Sequence, residues 1–444
     1  MSQNVVNVIT EKPTKFRWVV AGLIFLVYTV AAADRANIGI ALPFIRKEFH
    51  MSNTEAGGLV SLFLLAYAIA QMPSGFAYSK FGVRRIFSFA MIATSIFTGL
   101  IGSSSSPLMM KIYRFGLGLA EGPLPIGITS TINNWFPPRE KGFATGIFLS
   151  AAKFGPVVVP PLCALIIQQS SWHYIFYWFA LPGIFLSIIW YILVKNHPSE
   201  SPHCSLTEVK YIESEQLSQK AMVQKRPYSL KWLDQLIRAR KADPLDTNAR
   251  VFRSWDIWGS TLAYFFVLGI VNVLLAWIPT YLINVKHFTI MKMGFVASAP
   301  WVGAVIGNLV GGWFSDKVLN KRRKPLMMMT SLSTTFMMYA LTNAPNDPIF
   351  LGSLLFLTGI LLNVGFSAYM VYPMGLTTKK TFPIASSIIN TGGQLGGACA
   401  PLITGMILDA YSWDAVFMFL AASSFISLLV VLTITEPVEE PLNI

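Results

Sequence analysis

AAADRANIGIA, residues 31–41, sets an acid beside a base inside a run that is otherwise lipid-soluble. The apolar stretch before it, Trp18 to Ala33, is 16 residues long, and a membrane-spanning helix needs about 20. Either the span stops short at Asp34, or it continues through IGIALPF and carries Asp34 and Arg35 into the membrane. The second alternative is the expectation, because the shorter span is inadequate and a later span supplies countercharges.

The whole chain supports a membrane setting. Of its 444 residues 54% are hydrophobic and only 12% charged, where soluble domains carry about 25% charged residues. Twelve apolar segments stand out, near 18–43, 54–78, 84–104, 107–131, 141–167, 172–195, 256–284, 293–317, 324–344, 347–373, 382–408 and 412–435. Gly and Pro inside them do not count against helices in lipid. The polar beginning, MSQNVVNVITEKPTKFR, has no short apolar core with a cleavage site behind it, so no removable signal peptide is expected. The net charge of +13 does not point to nucleic acid. With twelve spans and both ends on one side, 26 Lys and Arg fall on that side, against Arg46, Lys47, Lys286 and Lys292 on the other. Such an excess marks the cytoplasmic side, so both termini are expected there.

The segment 196–254 is the one long polar interruption and includes a short amphipathic helix, SLTEVKYIESEQL. It divides the chain into a six-span bundle at 1–195 and a second at 255–444. The halves resemble each other: GFAYSKFGVRR at 75–85 is matched by GWFSDKVLNKRR at 312–323, SWHYIF at 171–176 by SWDAVF at 412–417, and LSAAKFGPVVVPPL at 149–162 by INTGGQLGGACAPL at 389–402. The fold class expected is all-α and membrane-embedded, with twelve transmembrane helices in two pseudo-symmetric six-helix bundles. Repeated halves with a site between them near the midplane are a transporter architecture.

Asp34, Arg35, Lys111, Arg114, Glu121 and Lys153 remain inside apolar spans once loop charges are set aside. Each costs about 2.5–3.5 kcal/mol at a helix centre, so they persist where they pair or line a hydrated cavity. Arg114 and Glu121 lie seven residues apart and about 10 Å along one helix face, so each needs a partner elsewhere. Asp34 and Arg35 are the candidates, the alternative being a structural clamp between helices. Lys111, close to the span's end, is expected to snorkel to water. Lys153 lies about 18 Å into its span, near the midplane, as a cavity residue or with a buried partner. Arg35, Arg114 and Lys153 against Asp34 and Glu121 leave +1, rising to +3 if both acids take protons. Proton arrival and anion binding then favour each other, as linkage requires.

The loop pattern G-x-x-x-[DE]-[RK]-x-G-[RK]-[RK] resembles the signature of the major facilitator superfamily. Gly75, Lys80, Gly82, Arg84 and Arg85 match it, with Ser79 at the acidic position, and Gly312, Asp316 and Lys317 match in the second copy. The resemblance implies a gating loop whose basic residues pair across the cytoplasmic seam. DRANIGIA, YAIAQMPSGFAY, YRFGLGLAEGPLPIG and NNWFPPREKGFATGIF resemble the anion:cation symporter branch, which includes sugar-acid/proton symporters. That resemblance implies Arg35 as the anchor of a substrate carboxylate, Asp34 and Glu121 as proton carriers, and Arg114 as a group that tunes one of them. It further implies substrate contacts from Tyr67 and Asn390, for which helix packing and an inter-helix hydrogen bond are the respective alternatives. Two positions depart from sugar-acid members: Lys153 replaces a glutamine and is a candidate for a second substrate anion, and Ala32 replaces an aromatic and could enlarge the pocket.

The three cysteines are scattered and the histidines lie at span edges or in loops, giving no disulfide framework or metal site. Cys163 and Cys399 read as small packing residues. No phosphate-cradling Gly-Lys-Ser/Thr loop is present, and the glycine clusters GLGLAEG and GGQLGG suit close helix packing. The acidic end, EPVEEPLNI, reads as a solvated tail. The resulting expectation is a non-enzymatic, monomeric carrier of the bacterial inner membrane. It takes up an organic anion, most plausibly an aldonate, uronate or aldarate, with protons and no other cofactor. An uncoupled anion or phosphate-ester exchanger and a non-transporting receptor are the alternatives.

Overall fold

The computed structural model describes residues 14–217, 234–235, 237–241, 243–320, 322–378 and 380–438. Asp34 and Arg35 sit midway along one unbroken helix, α1 (Phe16–Phe49), whose 34 residues span about 50 Å. It is followed by α2 (Asn53–Phe81), α3 (Val83–Gly102), α4 (Pro107–Glu121), α5 (Leu124–Trp135), α6 (Pro138–Gln169) and α7 (Trp172–Leu193). The connecting segment holds α8 (Leu206–Leu217), β1 (Ala239–Lys241) and α9 (Asn248–Arg253). The second half contains α10 (Trp255–Asn284), α11 (Ile290–Lys317), α12 (Lys324–Thr342), α13 (Pro348–Val364), α14 (Phe366–Val371), α15 (Phe382–Ala410) and α16 (Trp413–Thr433), then β2 (Glu436–Val438).

The expected twelve spans are present, but two are not continuous. Span 4 breaks between α4 and α5 at Gly122–Pro123, and span 10 breaks at Gly365. Pro123 lacks an N–H and crowds the preceding turn, while Gly122 lies so close to Tyr67 and Ala70 that a Cβ would clash. The N–H of Gly365 instead donates to Thr330 Oγ1 at 2.6 Å. Nine helical stretches among the described residues are long and apolar enough to cross a membrane. Span 4 is excluded by its break, and α12 and α15 by their Ser/Thr-rich and Gly-rich stretches.

Packing repeats between the halves. In the first, α1 lies on α6, α2 on α4 and α3 on α7; in the second, α10 lies on α15, α11 on α13 and α12 on α16. Gly303, Gly307 and Gly311 form a small-residue face on α11 that meets the backbone of Phe356, Ile360 and Val364. Cys163 is fully buried as expected, but Cys399 is exposed on α15 and is not a packing residue.

The connecting segment is more than a polar tether. From α8, Glu208 reaches the start of α1 and accepts from Thr14 Oγ1 at 2.6 Å, Phe16 N at 3.0 Å, Arg17 N at 3.2 Å and Arg17 Nη1 at 2.8 Å. It thereby satisfies N–H groups that a helix start leaves open. Arg17 also pairs with Glu140 of α6 at 2.7 Å. Further along, β1 pairs in parallel with β2, and Asp234 pairs with Arg322. The tail expected to be solvated is therefore docked at its start: Glu436 is 2% exposed and accepts from the backbone of Arg323 and Lys324 at 3.0 and 2.7 Å. Burial pushes the Glu436 carboxyl up to about 7, against the pull of those N–H donors. The remainder of that tail, 439–444, lies outside the described residues.

Burial pushes the Glu208 carboxyl up, but its hydrogen bonds from Thr14, Arg17 and Phe16 outweigh this and hold it below its ordinary value of 4.5. Glu208→Ala should cost about 3–5 kcal/mol, as when a buried pair loses one member, visible as a lowered Tm in detergent. Because the folded-state value is depressed, the wild-type advantage over Glu208→Gln should be full at neutral pH. It should fade as pH falls below 4.5 and through the lower folded-state value. An advantage that does not vary with pH contradicts this assignment.

Candidate functional site

At mid-depth Arg35 of α1 donates from Nε to Oε1 of Glu121 at 2.5 Å. Glu121 is wholly buried and ends α4 at the Gly122–Pro123 break. The Arg35 guanidinium also lies over the Tyr67 ring at 4.5 Å and near Tyr28 at 5.7 Å. A planar cation on an aromatic face, paired to a carboxylate from another helix, is held in a fixed orientation. Two atoms of this pair, Arg35 Nη2 and Glu121 Oε2, are buried without a hydrogen-bond partner among the described residues.

Arg114 is 1% exposed, one face on the Phe63 ring at 4.5 Å and its Nε donating to the Leu59 carbonyl at 3.4 Å. Its Nη1 has no hydrogen-bond partner among the described residues. Arg35, Arg114, Phe63 and Asn272 line a cavity of about 10 Å³, which admits about one water. Asn272, on α10 of the second half, donates to its own Leu268 carbonyl at 2.9 Å. Sequence reasoning that followed charge missed it, although it is a lone amide in the apolar run VLGIVNVLLAW.

Asp34 occupies a different place from its neighbour. It is 1% exposed, accepts from Asn37 Nδ2 at 3.2 Å, and lies near Thr98 within electrostatic reach of Glu121 and Arg114. Of the two expected partnerships, Arg35 with Glu121 forms as an ion pair, whereas Asp34 makes no ion pair among the described residues. Lys111 pairs with Glu55 at 3.7 Å where both are partly exposed, as snorkelling predicts.

Lys153 is half-buried on α6 and donates to Asn363 Oδ1 of the second half at 3.1 Å. Asn390 is half-buried on α15 and makes no hydrogen bond among the described residues, so the structure does not join it to Arg35, Tyr67 or Lys153. Ala32 does not widen a pocket: it packs against Gly155 of α6, where no Cβ could be added.

The comparison with known families decides the class. The model of the Major Facilitator Superfamily matches residues 24–380 and 294–443. The chain belongs to the Major Facilitator Superfamily. Among curated superfamily proteins, it is 27% identical over 434 residues to the "Probable galactarate/D-glucarate transporter GarP" of Escherichia coli, covering 94% of both chains. It is 26% identical to the "D-galactonate transporter" of an E. coli O6:H1 strain, covering 94% of this chain and 95% of that one. Among solved structures, a D-xylose–proton symporter superposes with a TM-score of 0.73 at 16% identity, covering 96% and 99% of the two chains. A bacterial homologue of the human lysosomal transporter Spinster, inward-facing and unoccupied, gives 0.72 at 15%, covering 95% of each.

The superfamily's two halves meet here chiefly at the end distal to the termini. Gly39 abuts Leu275 and Ala276, Gly57 abuts Pro401, Gly294 abuts Pro160, and Gly405 abuts Asn53, each with no room for a Cβ. Asp409 at the end of α15 seals this seam. It accepts from Asn53 N at 2.9 Å, Asn53 Nδ2 at 2.8 Å, Thr54 N at 2.7 Å and Thr54 Oγ1 at 2.6 Å, all at the start of α2.

On the terminal side the expected gating residues are tied within their own halves. Arg84 donates to the Tyr191 carbonyl at 2.7 Å, its backbone N–H donates to Asn196, and Asp316 pairs with Arg323 at 3.0 Å. Gly82 turns the first loop with φ +78° and Gly75 faces open space. Lys80, Arg85 and Lys317 make no ion pair among the described residues. A cross-seam latch made by these residues is therefore not formed, because the close approaches between halves lie at the opposite end.

Asp409→Ala should raise the distal-open population by about tenfold, since the bonds it loses are exposed and open to replacement by water, and together contribute about 1–2 kcal/mol. Spin labels at exposed positions 103 and 346, one on each half, should show a longer-distance population by electron–electron resonance. An unchanged distribution contradicts the assignment of Asp409 as the seal.

Proposed function

We propose that the protein is a proton-coupled importer of sugar acids, an aldonate, uronate or aldarate, acting as a monomer without an organic cofactor or catalytic chemistry. The observation that carries this reading is the buried Arg35–Glu121 pair at the cavity between the halves. With Glu121 ionised, the Arg35 charge is largely balanced. A proton on Glu121 removes that balance and leaves the guanidinium, with its partnerless Nη2, for a substrate carboxylate. The coupling is reciprocal by linkage: a bound anion favours the proton, and losing either weakens the other. Asp34 is a second proton carrier, Arg114 biases both acids through its charge, and Tyr67 keeps Arg35 oriented. Asn390 meets the substrate when the second half closes on it.

The charge distribution supports cytoplasmic termini, with 26 Lys and Arg on the terminal side against four on the distal face. The seam sealed by Asp409 then faces the periplasm, and this form is inward-facing. The curated relatives' names, galactarate, D-glucarate and D-galactonate transporters, support the substrate class.

Uptake of labelled D-gluconate or D-glucarate into proteoliposomes with an imposed inward proton gradient tests the reading. Wild type should accumulate a sugar acid above the ungraded control. Arg35→Ala should lose about tenfold or more in binding. Glu121→Gln should retain counterflow yet lose gradient-driven accumulation. Equal uptake with and without the gradient contradicts proton coupling and leaves an exchanger; binding without counterflow contradicts transport.

A further inference from the structure

We propose that Lys153 is a second anion subsite that makes the carrier selective for dianionic sugar acids, and that Asn363 occupies it when no dianion is bound. The proposal rests on the sugar-acid reading above and specifies its substrate class.

The first observation is a mismatch of charge. An ammonium has three donors and no acceptor, and charges in a membrane interior are found paired. Lys153 has one hydrogen bond, to the neutral amide oxygen of Asn363 at 3.1 Å, and the Phe366 ring at 4.5 Å. No carboxylate pairs with it among the described residues. Arg35, by contrast, has Glu121. The site thus holds Arg35 with its counterion, Arg114 within electrostatic reach of Glu121 and Asp34, and Lys153 with only a dipole and a ring face.

The second observation is depth. Gly155, two residues beyond Lys153, packs against Ala32 and the backbone of Thr29 and Ala33. This contact sets Lys153 level with the turn of α1 that leads into Asp34 and Arg35. An anion anchored at Arg35 and extending toward the terminal side therefore meets a second cation about 7–8 Å away along the helix axis, on a neighbouring helix.

The third observation is what holds Lys153. Asn363 and Phe366 flank the Gly365 break in span 10, as Glu121 precedes the break in span 4. The Asn363 amide donates to its own Gly359 carbonyl at 2.9 Å, which turns Oδ1 toward Lys153. The Lys153–Asn363 bond joins the two halves near the midplane. A second carboxylate replaces this ion–dipole contact by an ion pair and frees the bond between halves. A monoanion uses Arg35 alone and leaves the bond in place.

Equilibrium binding of D-glucarate (two carboxylates) and D-gluconate (one) to the full-length protein in detergent tests this in wild type, Lys153→Gln, Lys153→Arg and Asn363→Ala. Wild type should bind D-glucarate about tenfold or more tighter than D-gluconate. Lys153→Gln should lose about tenfold for D-glucarate and less than about twofold for D-gluconate, the retained D-gluconate binding showing that it is folded. Lys153→Arg should keep the preference, and Asn363→Ala should strengthen D-glucarate binding by freeing the amine. Equal losses for both acids in Lys153→Gln, or an undiminished preference, overturn the subsite. If wild type binds D-gluconate but does not prefer D-glucarate, the subsite fails and the sugar-acid reading stands. If wild type binds neither acid, both fail.

Discussion

The structure depends on keeping a guanidinium and a carboxylate together where water is scarce. Arg35 and Glu121 come from different helices, and neither is tolerable alone in a membrane interior. Their 2.5 Å contact ties α1 to the last residue of α4, where Gly122 and Pro123 interrupt the helix. It is also incomplete, since one atom on each side lacks a partner among the described residues. Arg35 also lines the small cavity shared with Asn272 of the other half, where the proposed opening of the pair would admit an anion.

The asymmetry between halves follows from the same constraint. The first half carries the charges, and the second faces them with the amides Asn272 and Asn363. Neutral amides carry no charge of their own, so a second half that withdraws leaves no unpaired ion on its own side, which suits the rocking of halves found in this class of carrier. The distal seal obeys a different rule. Asp409 can be charged because the N–H groups at the start of α2 satisfy it fully, in a partly exposed place where water replaces them on opening.

Much of this was legible in the residues. Charges inside apolar runs are costly, so Asp34, Arg35, Lys111, Arg114, Glu121 and Lys153 marked themselves, and the inventory named Asp34 and Arg35 as candidate partners for Arg114 and Glu121, of which Arg35 with Glu121 forms. The internal repeats gave two halves, and superfamily membership and the repeated packing bear that out. Breaks in spans 4 and 10 were not foreseen, because Gly and Pro are common in unbroken membrane helices and local sequence does not show which will interrupt one. Asn272 was missed because an amide costs less in lipid than a charge. Glu436 read as solvated, and Glu208 passed unnoticed in its amphipathic stretch, because a carboxylate's burial depends on which distant N–H groups reach it, here those of Phe16, Arg17, Arg323 and Lys324. Asp34 and Arg35 are adjacent yet serve different surroundings, a consequence of the 100° turn between successive helical residues.

The central claim is that the Glu121 proton and the substrate anion are exchanged at one guanidinium. Calorimetric titration of the purified protein with D-gluconate, near neutral pH in two buffers of different ionisation enthalpy, measures the protons taken up per anion bound. The account predicts net uptake in wild type and a marked reduction in Glu121→Gln. Binding heats independent of the buffer, or uptake undiminished in Glu121→Gln, would contradict it.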